Sequence, residues 1–233
     1  MRNKFILVMI SALFLCTLSA NVYAVPVDLF GGGGGEYNIP AQSLVDKRFS
    51  GVTKQKFDFS CGSAAVATLL KEFYGRKVDE KDVLTAMYDV GDQEAIKKKG
   101  FSLLDMQSYL SSIGYTADGY RAPLNKLVKA NIPAIALINP KGYSHFVVIA
   151  AVNDDSVIIL DSSKGKSLMR RDEFESLWNG ILFIVHDDMK LAGKSFNTKS
   201  RWASHLQARY NTNLNDRDLA STGLETAYTP GYY

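Results

Sequence analysis

The chain of 233 residues has only two cysteines and three histidines, and that scarcity excludes several kinds of protein. Cys16 lies in an N-terminal segment expected to be removed, which leaves Cys61 alone. One cysteine cannot close an intramolecular disulfide in an oxidising compartment. Cys61, His145, His186 and His205 are too scattered to supply the closely spaced ligands of a zinc site, so no metal and no cofactor is expected. Charge of one sign is also missing. The formal net charge is +3, and loss of Arg2 and Lys4 with the N-terminal segment takes it to +1, which gives nucleic acid no basic surface to hold. Gly31 to Gly35 lack the following Lys-Ser/Thr of a phosphate-binding loop. No internal repeat is visible, and the overall balance is that of one ordinary globular domain.

Long apolar runs are missing too. The run from Phe5 to Leu18 falls short of the roughly 20 residues that span a bilayer. With Arg2 and Lys4 before it and Val22-Tyr23-Ala24 after it, it reads as a secretory signal peptide over residues 1–24, so the protein is expected to be exported with no stable membrane span after cleavage. Leu13-Phe14-Leu15 lacks the small residues that would precede a lipidated Cys16. Residues 25–50 read as a flexible glycine-rich leader, 51–186 as the domain and 187–233 as a polar, loosely packed C-terminal tail.

Within the domain, Cys61 to Gly75 has helical apolar spacing, with Ser60 placed to cap the start and Gly75 to end it. Helices are predicted at Glu80 to Tyr88, Gln93 to Lys99, Ser102 to Ile113 and Leu124 to Lys129, the third of these with Ser102 and Asp105 at capping-box spacing. The period then changes to short β-branched runs at Ile132 to Ile138, His145 to Val152, Val157 to Leu160 and Ile181 to Val185, interrupted by a helix at Asp172 to Trp178. A helical first half followed by an antiparallel sheet is an α+β fold. Trp178 is expected in the core, and His186 and His205 on the surface.

Asn153-Asp154-Asp155 predicts a hairpin between two of the strands. A three-residue loop places Asp161 on the diagonal of His145, on the same face and within roughly 8 Å at the backbone. The lone Cys61 has two readings, a small buried hydrophobe or a reactive thiol. An imidazole oriented by a carboxylate is what a nucleophilic thiol needs, and a helix N-terminus with an adjacent imidazolium favours thiolate over thiol. Gln55, on the loop six residues before Cys61, could join the Cys61 backbone N–H as an oxyanion donor.

Gln55-Lys56-Phe57-Asp58-Phe59-Ser60-Cys61-Gly62, Gly142-Tyr143-Ser144-His145-Phe146-Val147-Val148 and Asp161 together resemble the peptidase C39 family. The resemblance covers Gln55 to about Val185. It implies a papain-like cysteine peptidase fold, with Cys61 as nucleophile, His145 as base, Asp161 as its orienting carboxylate and Gln55 in the oxyanion hole. Many members are exporter domains that cut leader peptides after a double glycine. One departure is Ser162, where exporter members usually have proline; it is expected to touch the hairpin edge rather than a catalytic atom. A second is that no transporter segments or nucleotide-binding motif follow the domain.

Phe101-Ser102-Leu103-Leu104-Asp105-Met106 with Gly142 to Phe146 resembles stand-alone family members encoded with bacterial functional-amyloid secretion systems. That implies a periplasmic location and peptide or protein substrates, amyloid subunits or secretion components among them. Phe57, Phe59 and Tyr143 flank the candidate catalytic positions and are candidate walls of a narrow substrate groove suited to Gly-Gly or Gly-Ala; ordinary loop packing is their other reading. Two further readings of the chain stay open. One is a transglutaminase-like or amidase enzyme using Cys, His and Asp. The other is a catalytically silent module that binds exported peptides.

Overall fold

The computed structural model describes residues 44–203, so the signal peptide, most of the leader and the last part of the tail lie outside the described residues. Five helices come first: α1 (Leu44–Phe49), α2 (Cys61–Tyr74), α3 (Glu80–Val90), α4 (Gln93–Lys99) and α5 (Leu103–Ser112). Then follow β1 (Ala117–Arg121), α6 (Asn125–Ala130), β2 (Ala134–Ile138), β3 (His145–Val152), β4 (Ser156–Asp161), β5 (Gly165–Arg170), α7 (Arg171–Leu177), β6 (Trp178–Val185) and α8 (Met189–Gly193). The α+β reading holds: helices pack on one antiparallel sheet in the order β1-β6-β2-β3-β4-β5.

Helix α2 is the centre of the core. From Cys61 to Leu70 every side chain is buried, and the helix packs on β3, α3, α5 and α8. Small residues allow this close approach: a Cβ built on Gly62 would meet Phe101 Cβ at 2.8 Å and Met106 Cε at 3.0 Å. Gly75 takes a left-handed conformation (φ 62°) and ends the helix, with the N–H of Arg76 returning to the carbonyl of Leu70 at 3.0 Å. Ser60 differs from expectation. It occupies the cap position, yet its hydroxyl turns back to Phe57, accepting from that residue's N–H (3.2 Å) and donating to its carbonyl (3.0 Å). The predicted capping box of α5 is present: Asp105 N–H donates to Ser102 Oγ and Ser102 N–H to Asp105 Oδ2.

β3 is buried along its whole length and starts at His145, as expected. The hairpin to β4 arrives at the expected register by a different route. Asn153 Oδ1 closes the turn by accepting from the N–H groups of Asp155 and Ser156, and Val152 pairs with Val157, one residue beyond a three-residue loop. A bulge between Ile149 and Ala151 takes up the extra residue, so Val147 pairs with Asp161 and the carboxylate stays on the diagonal of His145.

Several elements were not predicted. The edge strands β1 and β5 are partly exposed and have no apolar alternation. Leu44–Phe49 is helical although it falls in the expected leader, and α1 packs on β5. Past His186 the chain does not loosen at once. Ala192 and Phe196 are buried, and Asn197 accepts from Val152 N–H, so residues 187–203 belong to the packed structure. Trp178 opens β6 instead of ending the preceding helix and is half-buried against the core.

Candidate active site

Three elements converge at one end of the sheet. α2 contributes Cys61 as its first residue, β3 contributes His145 as its first, and β4 contributes Asp161 as its last. All three side chains are buried, and Cys61 is a free thiol. Ser60 spends its hydroxyl on Phe57, so no side chain caps the first turn of α2, where the amide of Cys61 lies.

His145 Nε2 meets Asp161 Oδ1 at 2.8 Å. The same oxygen accepts from Ser163 N–H at 2.8 Å, Ser163 Oγ at 2.7 Å and Lys164 N–H at 3.1 Å. The turn after β4 therefore fixes the carboxylate independently of the imidazole. Burial pushes against ionisation of Asp161, but the bond and charge of His145, with the Ser163 hydroxyl and amide, outweigh it and hold its pKa at about 2. Burial likewise opposes a charge on His145. The hydrogen bonds and charges of Asp161 and Cys61 prevail and raise its pKa to about 9. Nδ1, the second ring nitrogen, is buried and has no hydrogen-bond partner among the described residues. The ring is thus held at one nitrogen by a carboxylate, and Cys61 is near enough to contribute to the raised pKa.

Gln55 stands on the loop before α2, which is tied down twice. Thr53 N–H donates to Thr68 Oγ1 of α2 at 3.0 Å, and Gln55 N–H donates to the Ser162 carbonyl at 3.0 Å. The Gln55 side chain accepts from Ser162 Oγ at Oε1 (2.7 Å) and donates from Nε2 to the Phe57 carbonyl (3.2 Å). Ser162, expected to touch only the hairpin edge, therefore reaches a candidate catalytic side chain. Ser162 and Ser163 are the residues that sequence reasoning missed. The signal was there: Asp-Ser-Ser followed by Lys-Gly is a turn in which an aspartate collects nearby N–H and O–H groups.

Beside Cys61 opens a cavity of about 760 Å³, with Phe59, Phe101, Leu104 and Tyr143 among its lining. Tyr143 is held in this wall by its contacts, its hydroxyl donating to the Asp58 carbonyl at 2.9 Å and its ring stacked 6.2 Å from that of His145. Burial and then Cys61 raise the pKa of this tyrosine. Phe59 and Tyr143 are thus cavity walls. Phe57 is not: it is 50 % exposed, lies outside the lining and stacks on Phe59 at 5.6 Å. His186 lies away from this site at the end of β6, half-buried, with Asp118 Oδ2 at 3.0 Å and the Tyr120 hydroxyl at 3.2 Å. His205 is outside the described residues.

Among the described residues no helix is long and apolar enough to cross a membrane. Residues 50–190 match the family model described as Peptidase C39 family. The chain is 41 % identical over 153 residues to a probable functional amyloid protease FapD of Pseudomonas fluorescens, covering 66 % of this chain and 68 % of that protein. It is 39 % identical over 176 residues to the probable functional amyloid protease FapD of Pseudomonas aeruginosa, covering 76 % and 77 %. Among solved structures, a double glycine motif protease from an AMS/PCAT transporter in complex with the leader peptide aligns with a TM-score of 0.49 and 27 % identity, over 57 % of this chain and 89 % of that one. The matched family segment contains Gln55, Cys61, His145 and Asp161 and extends over more than half of the chain, which belongs to the peptidase C39 family.

Proposed function

We propose that this protein is an exported cysteine peptidase in which Cys61 is the nucleophile, His145 the proton carrier, Asp161 the group that holds the imidazole, and Gln55 an oxyanion donor. The observation that carries this reading is the buried His145–Asp161 pair at 2.8 Å, its second ring nitrogen without a hydrogen-bond partner among the described residues and Cys61, at the head of α2, among the groups that raise the imidazole pKa.

With the thiol proton carried by His145, the Cys61 sulfur attacks the scissile carbonyl carbon. The carbonyl π pair moves onto oxygen, which the Cys61 backbone N–H and Gln55 Nε2 receive. As the C–N bond breaks, the imidazolium returns its proton to the departing amine, leaving a thioester on Cys61. A water then loses its proton to His145 and attacks the thioester. The acid leaves, and the proton on His145 restores the starting state. Asp161 stays ionised throughout and stabilises the imidazolium.

The substrate reading of an amyloid-forming protein draws on the two relatives named as functional amyloid proteases. The periplasmic setting, with secreted proteins and secretion components as further substrates, draws on the signal peptide read at residues 1–24 and on the family resemblance. Phe59 and Tyr143 line the cavity beside Cys61, and bulky aromatic walls there support cleavage after small residues such as Gly-Gly. The test is mass spectrometry of two peptides that differ only by Gly-Gly or Leu-Leu before the cut site, incubated with the mature protein and with Cys61→Ala. Cleavage of the Gly-Gly peptide by wild type alone supports the whole reading. The same fragments from Cys61→Ala, or none from either peptide, overturn peptidase action at Cys61. Equal cleavage of both peptides removes only the small-residue preference.

A further inference from the structure

The clamp on Gln55 is made by a residue with no assigned part in the chemistry. Ser162 is 2 % exposed and directly follows Asp161. Its backbone carbonyl accepts from Gln55 N–H at 3.0 Å and its hydroxyl donates to Gln55 Oε1 at 2.7 Å. At the other end of the amide, Gln55 Nε2 donates to the Phe57 carbonyl at 3.2 Å.

These contacts decide which way the amide points. The Phe57 carbonyl can only accept, so Nε2 must face it, and Oε1 is left to face a donor. The Ser162 hydroxyl is that donor. A flipped amide would set two carbonyl oxygens against each other at Phe57. Nε2 carries two protons and one is spent on Phe57, so the other is available to a developing oxyanion. Without the hydroxyl, the amide keeps one weak bond at one end and is free to rotate about its terminal torsion, which has a broad energy profile.

We infer that Ser162 is a positioning residue: its hydroxyl holds the Gln55 amide so that an Nε2 proton is presented to the oxyanion, and its backbone ties that donor to the turn that carries Asp161. The inference rests on the reading of Cys61 as nucleophile and Gln55 as oxyanion donor. One turn after β4 then sets both halves of the site, with Ser163 and Lys164 fixing Asp161 and Ser162 fixing Gln55.

Two thiol probes separate this role from general damage. Iodoacetamide alkylates a thiolate by displacement at a saturated carbon and creates no oxyanion. A peptide aldehyde ending in Gly-glycinal forms a thiohemiacetal: the sulfur–carbon bond forms, the carbonyl pair moves to oxygen, and that oxygen must be stabilised. Ser162→Ala keeps the backbone bond and removes only the hydroxyl. Its aldehyde affinity is expected to fall about tenfold, with the rate and pH profile of iodoacetamide alkylation unchanged. Ser162→Thr, which retains a hydroxyl, restores the affinity. Gln55→Ala weakens aldehyde binding at least as much, and adding Ser162→Ala to it costs nothing more, because the two residues act through one group.

Unchanged aldehyde affinity in Ser162→Ala overturns the inference, as do additive losses in the double variant or equal loss with both probes. Wild type that reacts with iodoacetamide but not with the aldehyde shows that no oxyanion donor operates, and the inference fails while the nucleophile stands. Wild type that reacts with neither removes the reading of Cys61 itself and the inference with it. Failure of Ser162→Ala to fold is met by Ser162→Thr, which must then bind the aldehyde as wild type does; a tenfold loss there overturns the inference.

Discussion

His145 and Asp161 lie on a diagonal of the β3–β4 ladder, and their side chains meet at 2.8 Å with both residues more than nine-tenths buried. The bond occupies Nε2, so the ring can exchange a proton with a nucleophile only through Nδ1. Because Asp161 is already held by Ser163 and Lys164, it can orient the imidazole without moving itself.

Asp161→Asn should therefore cost more than a lost contact. An amide in that position stabilises the imidazolium poorly and can select the wrong tautomer, and kcat/KM is expected to fall by about 10²–10⁴. Steady-state hydrolysis of a Gly-Gly peptide gives the value. Activity within threefold of wild type would show that the pair does not serve catalysis.

Titration of His145 should be displaced upward, with its midpoint near pH 9 in place of the ordinary 6.5. A folded-state pKa above the unfolded one gives stability that is complete below about pH 6.5 and lost as pH rises through about 9. For Asp161 the sign reverses: its stabilisation is present above about pH 3.8 and lost as pH falls through about 2. The two describe largely one interaction seen from both partners, so they are not summed. NMR of labelled histidine in wild type and Asp161→Asn reads the midpoint, which should drop in the variant. A wild-type midpoint near 6.5 contradicts the coupling.

Gly62→Ala should destabilise although alanine is the better helix former. The added methyl meets Phe101 Cβ at 2.8 Å, an atom that cannot move without its backbone, and Met106 Cε at 3.0 Å. Overpacking of this kind costs about 1–3 kcal/mol, and the strain falls on the residue after the nucleophile. A thermal melt should show a lower Tm, with slower alkylation of Cys61. A melt equal to or above wild type would mean that the helix and Phe101 part without cost.

Glu80, the first residue of α3, is 2 % exposed, and among the described residues neither carboxylate oxygen has a partner at hydrogen-bond geometry. Burial raises its pKa, as does Asp79, against smaller opposing effects of the Ser60 and Ser63 hydroxyls and Lys56. A raised carboxyl favours the folded state most below about pH 4.5 and loses that contribution as pH rises through its folded value. Glu80→Gln should remove this loss, so that its Tm relative to wild type improves from pH 4 to pH 8. Melts across that range check it, and a difference that does not grow with pH refutes it.

Much of the fold is local physics and is therefore legible in the sequence. The helical spacing from Cys61 to Gly75 and the β-branched run from His145 to Val152 each bury a face that the sequence itself displays. Asp161 could be placed beside His145 because a hairpin is a local object: turn residues and two-residue alternation nearly settle it, and the bulge at Ile149/Ala151 restores the register that the longer turn disturbs. The edge strands β1 and β5 were illegible for the opposite reason. They bury little and are held by ladder bonds to β6 and β4, and nothing in Ala117–Arg121 or Gly165–Arg170 announces those partners.

The insertion of β6 between β1 and β2, the packing of α8 and Phe196, and the exclusion of Phe57 from the cavity lining depend on contacts between distant segments. The residue types at positions 55, 61, 145, 161 and 162 are plain in the sequence. Only the tertiary structure decided that the Ser162 hydroxyl would spend its one proton on Gln55, because a hydroxyl bonds whatever acceptor the fold brings within about 3 Å, and sequence spacing does not say which that is.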